Sequence, residues 1–179
     1  TVIDLHGTLG GDGSGDIRDF EFYDYSYDAL HILNELRISV FVISNQSLIS
    51  KGLYSYNEYA SKVELLLNIL SERKVHVDGI YCCPHSKSDN CDCRKPKIGI
   101  IKTITNNFIN YDLFNSYVIG DMGKDDMIMA KNMNCRGILV KTGFGKGSLN
   151  EFRDTWKDFQ ANSVQDNVLE AAKYIRNGF

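Results

Sequence analysis

Short apolar runs alternate with stretches of helical periodicity along this chain. The runs are rich in β-branched residues and end at polar or glycine turns, which is typical of buried strands; they cover residues 2–3, 38–43, 77–82, 117–119 and 138–140. Between them, apolar residues recur three or four positions apart and predict helices; these are Ala29, Ile32, Leu33 and Leu36, then Tyr59, Val63, Leu66, Leu67 and Leu70, then Ile101, Ile104 and Phe108, then residues 127–133. The tail after Asn150 is also predicted to be helical. Near-continuous apolar strands alternating with helices predict an α/β fold, a Rossmann-like parallel sheet with helices on both faces.

Composition limits the number of domains and the classes of partner. With 179 residues, 43% of them hydrophobic, the chain is long enough for one full core, and we expect a single domain over residues 1–179. A formal net charge of −3 argues against nucleic acid or an anionic membrane as a partner. No apolar run approaches the roughly 20 residues of a membrane span. We therefore expect a cytoplasmic protein, with a monomer favoured.

Acidic residues follow two of the predicted strands. Asp4 stands where the first strand stops, and Gly7-Thr8 supply the turn after it. An aspartate at the carboxyl end of a parallel strand is placed to attack phosphorus and to bind a cation. Asp121 and Asp125 follow the strand at 117–119 and lie four residues apart, so that both carboxylates can converge on one Mg²⁺. A helix cap with a second acid favoured by the helix dipole is the ordinary structural interpretation of this pair.

Two further segments offer groups that suit a phosphoryl oxygen. Ser44 and Asn45 follow the second strand, where a small hydroxyl beside free backbone N–H groups can bind an anion. Arg94 and Lys95 place two cations side by side before Pro96, which is predicted to open a helix. A fixed lysine neutralises the charge on a phosphoryl group during its transfer. Taken singly, the serine is more commonly a helix cap or turn residue, and the cation pair a solvated surface patch.

Four of the five cysteines lie between residues 82 and 93. This crowding favours a metal and a reducing compartment over a disulfide framework. Three thiolates and one imidazole make a filled tetrahedral shell, which predicts a structural zinc site; the predicted ligands are Cys83, His85, Cys91 and Cys93. Buried or adventitious thiols are the alternative. Zinc in this loop would order the chain that leads into Arg94-Lys95.

Taken in order, the segments over residues 2–145 resemble the haloacid dehalogenase superfamily of phosphatases. That family has Asp-x-Asp-Gly-Thr, then a strand-end Ser or Thr, then a Lys, then Gly-Asp-x-x-x-Asp. The resemblance implies Mg²⁺-dependent hydrolysis of a small phosphorylated substrate through an aspartyl phosphate, without a large cap domain. Position by position it implies Asp4 as the nucleophile, Ser44 and Lys95 with Asn45 and Arg94 as phosphate ligands, and Mg²⁺ bound by Asp4, the backbone carbonyl of His6, Asp121 and Asp125.

The Cys-x-His…Cys-x-Cys-Arg-Lys-Pro arrangement is similar to two subfamilies. These are the D-glycero-D-manno-heptose 1,7-bisphosphate phosphatases and the histidinol phosphatases. The five-residue gap from His85 to Cys91 resembles the histidinol enzymes. Four other segments resemble the heptose enzymes more closely; they are Phe20-Glu21-Phe22, Asn45-Gln46-Ser47, residues 77–81 and Lys141-Thr142-Gly143. We therefore expect a sugar phosphate substrate, with histidinol phosphate as the alternative.

His6 departs from the family pattern, which has its second aspartate at this position. In the family that aspartate protonates the leaving alkoxide and later activates water, and an imidazole is able to do both. Three interpretations stay open. His6 is a working acid/base, or the leaving group needs little protonation, as in an anomeric or acyl phosphate, or the chain is a catalytically impaired binding or regulatory module. We expect an active phosphatase with His6 as the acid/base.

Overall fold

Six parallel strands form a single sheet in the order β3-β2-β1-β4-β5-β6. The structure is a computed structural model that describes residues 1–11, 15–107, 112 and 114–178. The strands are β1 (Val2–Asp4), β2 (Phe41–Asn45), β3 (Gly79–Cys83), β4 (Tyr117–Gly120), β5 (Arg136–Val140) and β6 (Ser163–Gln165). The predicted parallel α/β sheet is confirmed. Within the described residues no insertion is large enough to form a separate cap domain.

Seven α-helices connect and cover the strands in the described part of the chain. They are α1 (Asp24–Glu35), α2 (Ser47–Ser50), α3 (Tyr56–Glu72), α4 (Gly99–Asn107), α5 (Ile128–Met133), α6 (Gly145–Leu149) and α7 (Val168–Asn177). A π-helical turn, Gly123–Met127, precedes α5. The start of α3 is fixed by a capping box, because the Ser55 hydroxyl accepts from the Glu58 N–H and the Glu58 carboxylate accepts from the Ser55 N–H, which satisfies two N–H groups at the helix start.

Alternate side chains of each central strand pack on opposite faces of the sheet. One face carries Ile3, Val42 and Ile119 against α1, α3 and α7, and the other carries Val2, Phe41 and Val118 against α4 and α5. This is the period of two that a strand imposes on its side chains. Because both faces are covered, the strands are apolar throughout their middle, as the sequence pattern requires.

The strand order reverses at β1, with β2 on one side and β4 on the other. Asp4 lies opposite Ile43 of β2, and Ile3 lies opposite Ile119 of β4. The crevice at such a reversal, outside the carboxyl ends of the strands, is where open α/β sheets bind their ligands. The register therefore brings Asp4 and the residues directly after β2 and β4, Asp121 among them, to one edge of the sheet.

Pro96 does not open a helix, contrary to the sequence prediction. The Lys97 N–H bonds to the carbonyl of Arg94 in a turn, and α4 begins only at Gly99. The loop that carries the cysteines continues through this turn, so local hydrogen bonds delay the helix. Phe108, the last apolar position predicted for α4, lies outside the described residues.

The tail after Asn150 is helical only in part, so the prediction of a helical tail is wrong in its middle. Ser163–Gln165 forms β6 and pairs with β5 at the edge of the sheet, and a helix follows only at Val168–Asn177. A strand of three residues is too short to show the alternation by which strands are identified in a sequence. Among the described residues, none of the helices has the length and apolar character needed to cross a bilayer.

Candidate active site

Three buried carboxylates meet at the carboxyl edge of the sheet. They belong to Asp4 at the end of β1, Asp121 directly after β4, and Asp126 on the π-helical turn, and their ligand oxygens lie within 4.8 Å of one another. All three side chains are buried. Buried carboxylates at this separation repel one another unless a cation lies between or beside them.

Asp126, rather than the expected Asp125, takes the third position in the cluster. The turn Gly123–Met127 is π-helical, and its wider turn accommodates one extra residue. Asp126 accepts a hydrogen bond from the Met122 N–H at 2.9 Å. A Cβ at Gly120 would overlap the Asp126 carboxylate, so the glycine leaves room for that side chain. Asp125 is half-buried and lines an outer cavity instead.

Lys95 places its ammonium among these carboxylates. Its Nζ donates to Asp4 Oδ1, to Asp126 Oδ1 at 2.7 Å and to the carbonyl of Ile43 at 3.3 Å. The three N–H donors of the ammonium are thereby used. Burial by itself lowers the pKa of Lys95, but Asp126 and Asp4 outweigh it and raise that pKa above its ordinary value. Lys95 is therefore a fixed positive charge beside Asp4.

One ammonium among three carboxylates leaves the cluster short of positive charge. Burial raises the pKa of Asp4 to about 7, although Lys95 opposes the rise. Burial also raises the pKa of Asp121, and the negative charge of Asp4 adds to the effect. Asp121 Oδ2 accepts from the Phe144 N–H at 2.7 Å, whereas the buried Oδ1 has no hydrogen-bond partner among the described residues. An unpartnered carboxylate oxygen in this position fits a hard cation.

Backbone packing holds Asp121 in place. Gly7 and Gly143 both have positive φ, +81° and +51°, and a Cβ on either would overlap Asp121 Oδ2. Glycine is required at both positions for the backbone conformation and for this close approach. Behind the carboxylate, the Ser148 hydroxyl donates to the Asp121 carbonyl at 2.8 Å and accepts from the Gly123 N–H at 3.1 Å. The loops after β1, β4 and β5 thus meet at one carboxylate.

The His6 ring is buried against the loop that follows β1. It contacts Phe20 edge-on, with ring centroids 5.1 Å apart. A Cβ on Gly11 would lie 3.0 Å from His6 Nδ1, which shows how closely this loop covers the imidazole. The backbone of His6 also pairs with Gly10 in an isolated bridge. The residue in the predicted acid/base position is therefore held between the sheet edge and the covering loop.

Ser44 and Asn45 end β2 beside Lys95. The buried Ser44 hydroxyl accepts from Gln46 Nε2 at 2.6 Å. Asn45 Oδ1 accepts from the Lys95 N–H at 3.0 Å, and Asn45 Nδ2 donates to the Lys95 carbonyl at 3.3 Å. Asn45 therefore fixes the backbone of Lys95 through two hydrogen bonds. A contact of Asn45 with a phosphate stays a prediction.

The loop after β3 brings one imidazole and three thiols together. Their sulfurs lie 3.2–3.5 Å apart, and His85 Nδ1 lies 3.7 Å from Cys83 Sγ and 3.2 Å from Cys93 Sγ. Ligands about 2.3 Å from a tetrahedral zinc would stand roughly 3.7 Å apart, whereas a disulfide needs about 2.05 Å. The four predicted residues could therefore hold a metal; they are Cys83, His85, Cys91 and Cys93.

A cavity of about 580 Å³ lies between this loop and the π-helical turn. Its charged lining residues are five cations and one acid, namely Lys87, Arg94, Lys95, Lys97, Lys124 and Asp125. Arg94 Nη1 donates to the carbonyl of His85 at 3.0 Å, so the loop that carries the cysteines fixes the guanidinium at the wall of the cavity. Because Lys95 lines the cavity and also bonds to Asp4, the cavity adjoins the carboxylate cluster.

Three contributors to this site were missed by sequence reasoning. Asp126 adjoins Asp125, which was selected because its four-residue spacing from Asp121 matches the family pattern. Ser148 lies far along the chain, where a single serine gives no signal. The Phe144 N–H follows the segment Thr142-Gly143 after β5, and that strand-end glycine turn was a usable sign of a backbone donor.

Comparison with known proteins agrees with this geometry. A family model described as HAD-hydrolase-like matches residues 92–171. The chain is 32% identical to the D-glycero-β-D-manno-heptose-1,7-bisphosphate 7-phosphatase of Pasteurella multocida, over 97% of this chain and 95% of that protein. It is 33% identical to the enzyme of the same name from Yersinia pestis, over 79% of each chain.

Solved structures show the same fold at lower identity. The D,D-heptose 1,7-bisphosphate phosphatase from B. bronchiseptica, complexed with magnesium and phosphate, matches with a TM-score of 0.87 at 23% identity over 99% of this chain and 98% of that one. The D,D-heptose 1,7-bisphosphate phosphatase from Burkholderia thailandensis matches with a TM-score of 0.71 at 21% identity, over 98% and 96%. With Asp4, Lys95 and the acidic loop assembled at the switch point of the sheet, the chain belongs to the haloacid-dehalogenase-like phosphatases, the family that includes these heptose bisphosphate phosphatases.

Proposed function

We propose that this chain is a Mg²⁺-dependent phosphatase of a sugar bisphosphate resembling heptose 1,7-bisphosphate. The main observation behind the proposal is that the Asp4–Lys95 pair adjoins a cavity whose charged lining residues are five cations and one acid. One phosphate of the substrate would lie at Asp4, and a second anionic group would lie in the cavity. The names of the relatives at 32–33% identity support this choice of substrate.

The proposed reaction gives each of these side chains one role. A carboxylate oxygen of Asp4 forms a bond to phosphorus as the ester P–O bond breaks, and the leaving alkoxide takes a proton from His6. Lys95 and the Ser44 hydroxyl neutralise charge on the phosphoryl oxygens. His6 then accepts a proton from water, which attacks the aspartyl phosphate and releases inorganic phosphate. One ester and one water thus give one alcohol and one phosphate.

The carboxylate cluster fits a magnesium ion. Asp4 and Asp121 would bind it directly with the backbone carbonyl of His6, and Asp126 replaces Asp125 as the second acid of the loop in this proposal. The unpartnered Asp121 Oδ1 and the excess of three carboxylates over one ammonium support the assignment. When bound, Mg²⁺ would neutralise charge on the transferring phosphoryl group.

The charge of the cavity favours a bisphosphate over histidinol phosphate. Arg94 and Lys124 line its wall, and a second phosphate would be attracted to both. Histidinol phosphate instead carries an ammonium group beside its phosphate, and this group would be repelled by like charges in a confined space. The spacing of His85 and Cys91 is the one feature that favours the histidinol substrate.

We further propose that zinc fills the Cys₃His site and has no direct part in the reaction. Four protein ligands complete a tetrahedral shell and leave no open position for a substrate. The role of the zinc would be to fix the loop from which Arg94 and Lys95 continue. Thiolate ligands must stay reduced, so the proposal includes a reducing, cytoplasmic environment.

A phosphate-release assay with heptose 1,7-bisphosphate and histidinol phosphate, each with Mg²⁺, tests the proposal. We expect turnover of the bisphosphate, and Asp4→Asn should abolish it because the amide does not attack phosphorus. Asp158→Asn, the same change at an exposed position, is the matched control and should keep full activity. Full activity in Asp4→Asn would exclude an aspartyl phosphate, and no turnover of either compound by the wild type would favour a catalytically impaired binding module.

A further inference from the structure

A chain of buried polar side chains lies directly behind the site, and the catalytic proposal above makes no use of two of them. Tyr54 and Gln46 are both buried, with 4% and 0% of their surface exposed. The Tyr54 hydroxyl bonds to Gln46 Oε1, and Gln46 Nε2 bonds to the Ser44 hydroxyl at 2.6 Å. The backbone of Gln46 is also fixed, because its N–H donates to the carbonyl of Cys83 at 2.8 Å.

The protonation of Tyr54 sets the donor-to-acceptor direction of these hydrogen bonds. Burial raises the pKa of Tyr54 to about 12, and the Ile17 N–H makes a smaller opposing contribution, so the phenol stays protonated at neutral pH. A protonated phenol has a proton to donate, and the Tyr54 hydroxyl donates it to Gln46 Oε1. A carboxamide that accepts from Tyr54 through Oε1 must present its NH₂ group to Ser44.

The direction of these hydrogen bonds decides whether the Ser44 hydroxyl faces a ligand as a donor or as an acceptor. With its oxygen accepting from Gln46, the hydroxyl of Ser44 has its own proton left to donate at the carboxyl end of β2. With the Gln46 amide reversed, Ser44 would donate to Gln46 and would present only lone pairs to the site. Lone pairs repel the oxygens of a phosphoryl group, whereas a donor stabilises them.

We propose that Tyr54 is a positioning residue, which acts through Gln46 to hold the Ser44 hydroxyl as a hydrogen-bond donor toward the phosphoryl group. The proposal rests on the proposed function, in which Ser44 binds that group. Tyr54 itself does not contact the substrate in this scheme. Its hydroxyl selects one of the two orientations of the Gln46 carboxamide, and that orientation selects the proton position on Ser44.

Removal of the Tyr54 hydroxyl oxygen tests the role of these hydrogen bonds with little change in packing. Tyr54→Phe keeps the ring and deletes the donor to Gln46, and we expect kcat for p-nitrophenyl phosphate to fall roughly threefold to tenfold, the usual effect of one hydrogen bond. Tyr56→Phe is the matched control, because Tyr56 is 57% exposed at the start of α3, and it should leave kcat unchanged. Thermal unfolding should show both variants folded.

A double-mutant cycle distinguishes positioning from a general structural effect. Ser44→Ala should lower kcat more than Tyr54→Phe does, and adding Tyr54→Phe to Ser44→Ala should cause no further loss. The same loss in both backgrounds would show that Tyr54 acts independently of Ser44, and an unchanged kcat in Tyr54→Phe alone would equally overturn the proposal.

Binding of inorganic phosphate in the presence of Mg²⁺, measured by calorimetry, separates this proposal from the proposed function. If the wild type binds phosphate but hydrolyses no ester, the proposed function fails. The double-mutant cycle of Tyr54→Phe and Ser44→Ala can then still be measured through the Kd for phosphate. In that case a threefold to tenfold weaker Kd in Tyr54→Phe, absent in the Ser44→Ala background, supports the positioning role. An equal Kd for wild type and Tyr54→Phe overturns it.

Discussion

Lys95 and Asp126 form a buried ion pair, with Nζ and Oδ1 2.7 Å apart, on segments that are 31 residues apart in the chain. The same ammonium also bonds to Asp4. Lys95 therefore connects Asp4, the proposed nucleophile on β1, to the acidic loop after β4. Lys95 itself belongs to neither segment. Charge-assisted bonds of this kind hold their partners more firmly than neutral ones do.

Lys95→Met should lower phosphate release by about 10²–10³-fold, the usual cost of losing one fixed stabilising group in a transition state. The three carboxylates would keep their burial and lose their ammonium. Mg²⁺ should consequently raise the Tm of this variant by more than it raises that of the wild type. Lys157→Met, at an exposed position, is the control; equal activity in both variants would exclude a role of Lys95 in the reaction.

The two neighbouring acids of the π-helical turn should differ in their importance. Asp126→Asn removes the charge that pairs with Lys95, and we expect a loss of roughly 10- to 100-fold in activity or Mg²⁺ affinity. Asp125→Asn, half-buried at the cavity wall, should cost much less. Steady-state kinetics over a range of Mg²⁺ concentrations decides the question, and the reverse ranking would restore Asp125 as the metal ligand.

Gly7→Ala should disrupt the proposed magnesium site more than it disrupts the fold. A Cβ there overlaps Asp121 Oδ2, and φ is +81°. Gly52→Ala is the matched control, because Gly52 has φ +71° and no atom within 4 Å of the added Cβ. Both variants should lose about 1–2 kcal/mol of stability from the left-handed backbone. Only Gly7→Ala should weaken Mg²⁺ binding in calorimetry, and equal binding by both would argue against Asp121 as a ligand.

His6→Ala should cost on the order of 10²–10⁴ in rate for a substrate with a poor leaving group, the usual range for one positioned acid/base. The loss should be much smaller for an aryl phosphate, whose leaving oxygen needs little protonation. His6→Asp restores the residue of the family pattern. A large gain would show that the natural chain is impaired or specialised, and a loss would show a site built around imidazole. Unchanged rates for His6→Ala on every substrate would show that the His6 side chain has no role in the reaction. Only the backbone carbonyl of His6, the proposed Mg²⁺ ligand, would then have a role.

Removal of the proposed zinc from the Cys₃His loop should weaken catalysis indirectly. Metal analysis should find about one zinc per chain, as one tetrahedral site requires. Cys93→Ser should lose that zinc and, with it, the order of the loop that holds Arg94. Cys135→Ser, at a cysteine outside the cluster, should keep both zinc and activity. A disulfide among the cluster cysteines in reducing buffer would contradict the zinc proposal.

Much of the fold could be predicted from the sequence because the sheet is buried on both faces. Apolar strands such as Phe41–Asn45 have to alternate with amphipathic helices for either face to be covered, and this pattern is local. β6 could not be predicted, since Ser163–Gln165 is short and lies at the sheet edge. The start of α4 was also missed, because its delay to Gly99 depends on hydrogen bonds within the loop before it.

The sequence by itself determined which chemical groups stand at the ends of the central strands. Asp4 and Ser44 lie at the carboxyl ends of strands and Asp121 directly follows one, and strands of a parallel sheet end at one edge. Only the tertiary structure decided which groups meet. The π-helical turn selects Asp126 over Asp125, and packing places Tyr54 behind Ser44. The physical reason is that strand ends are specified by local apolar patterning, whereas contacts between loops depend on backbone geometry at several distant segments at once.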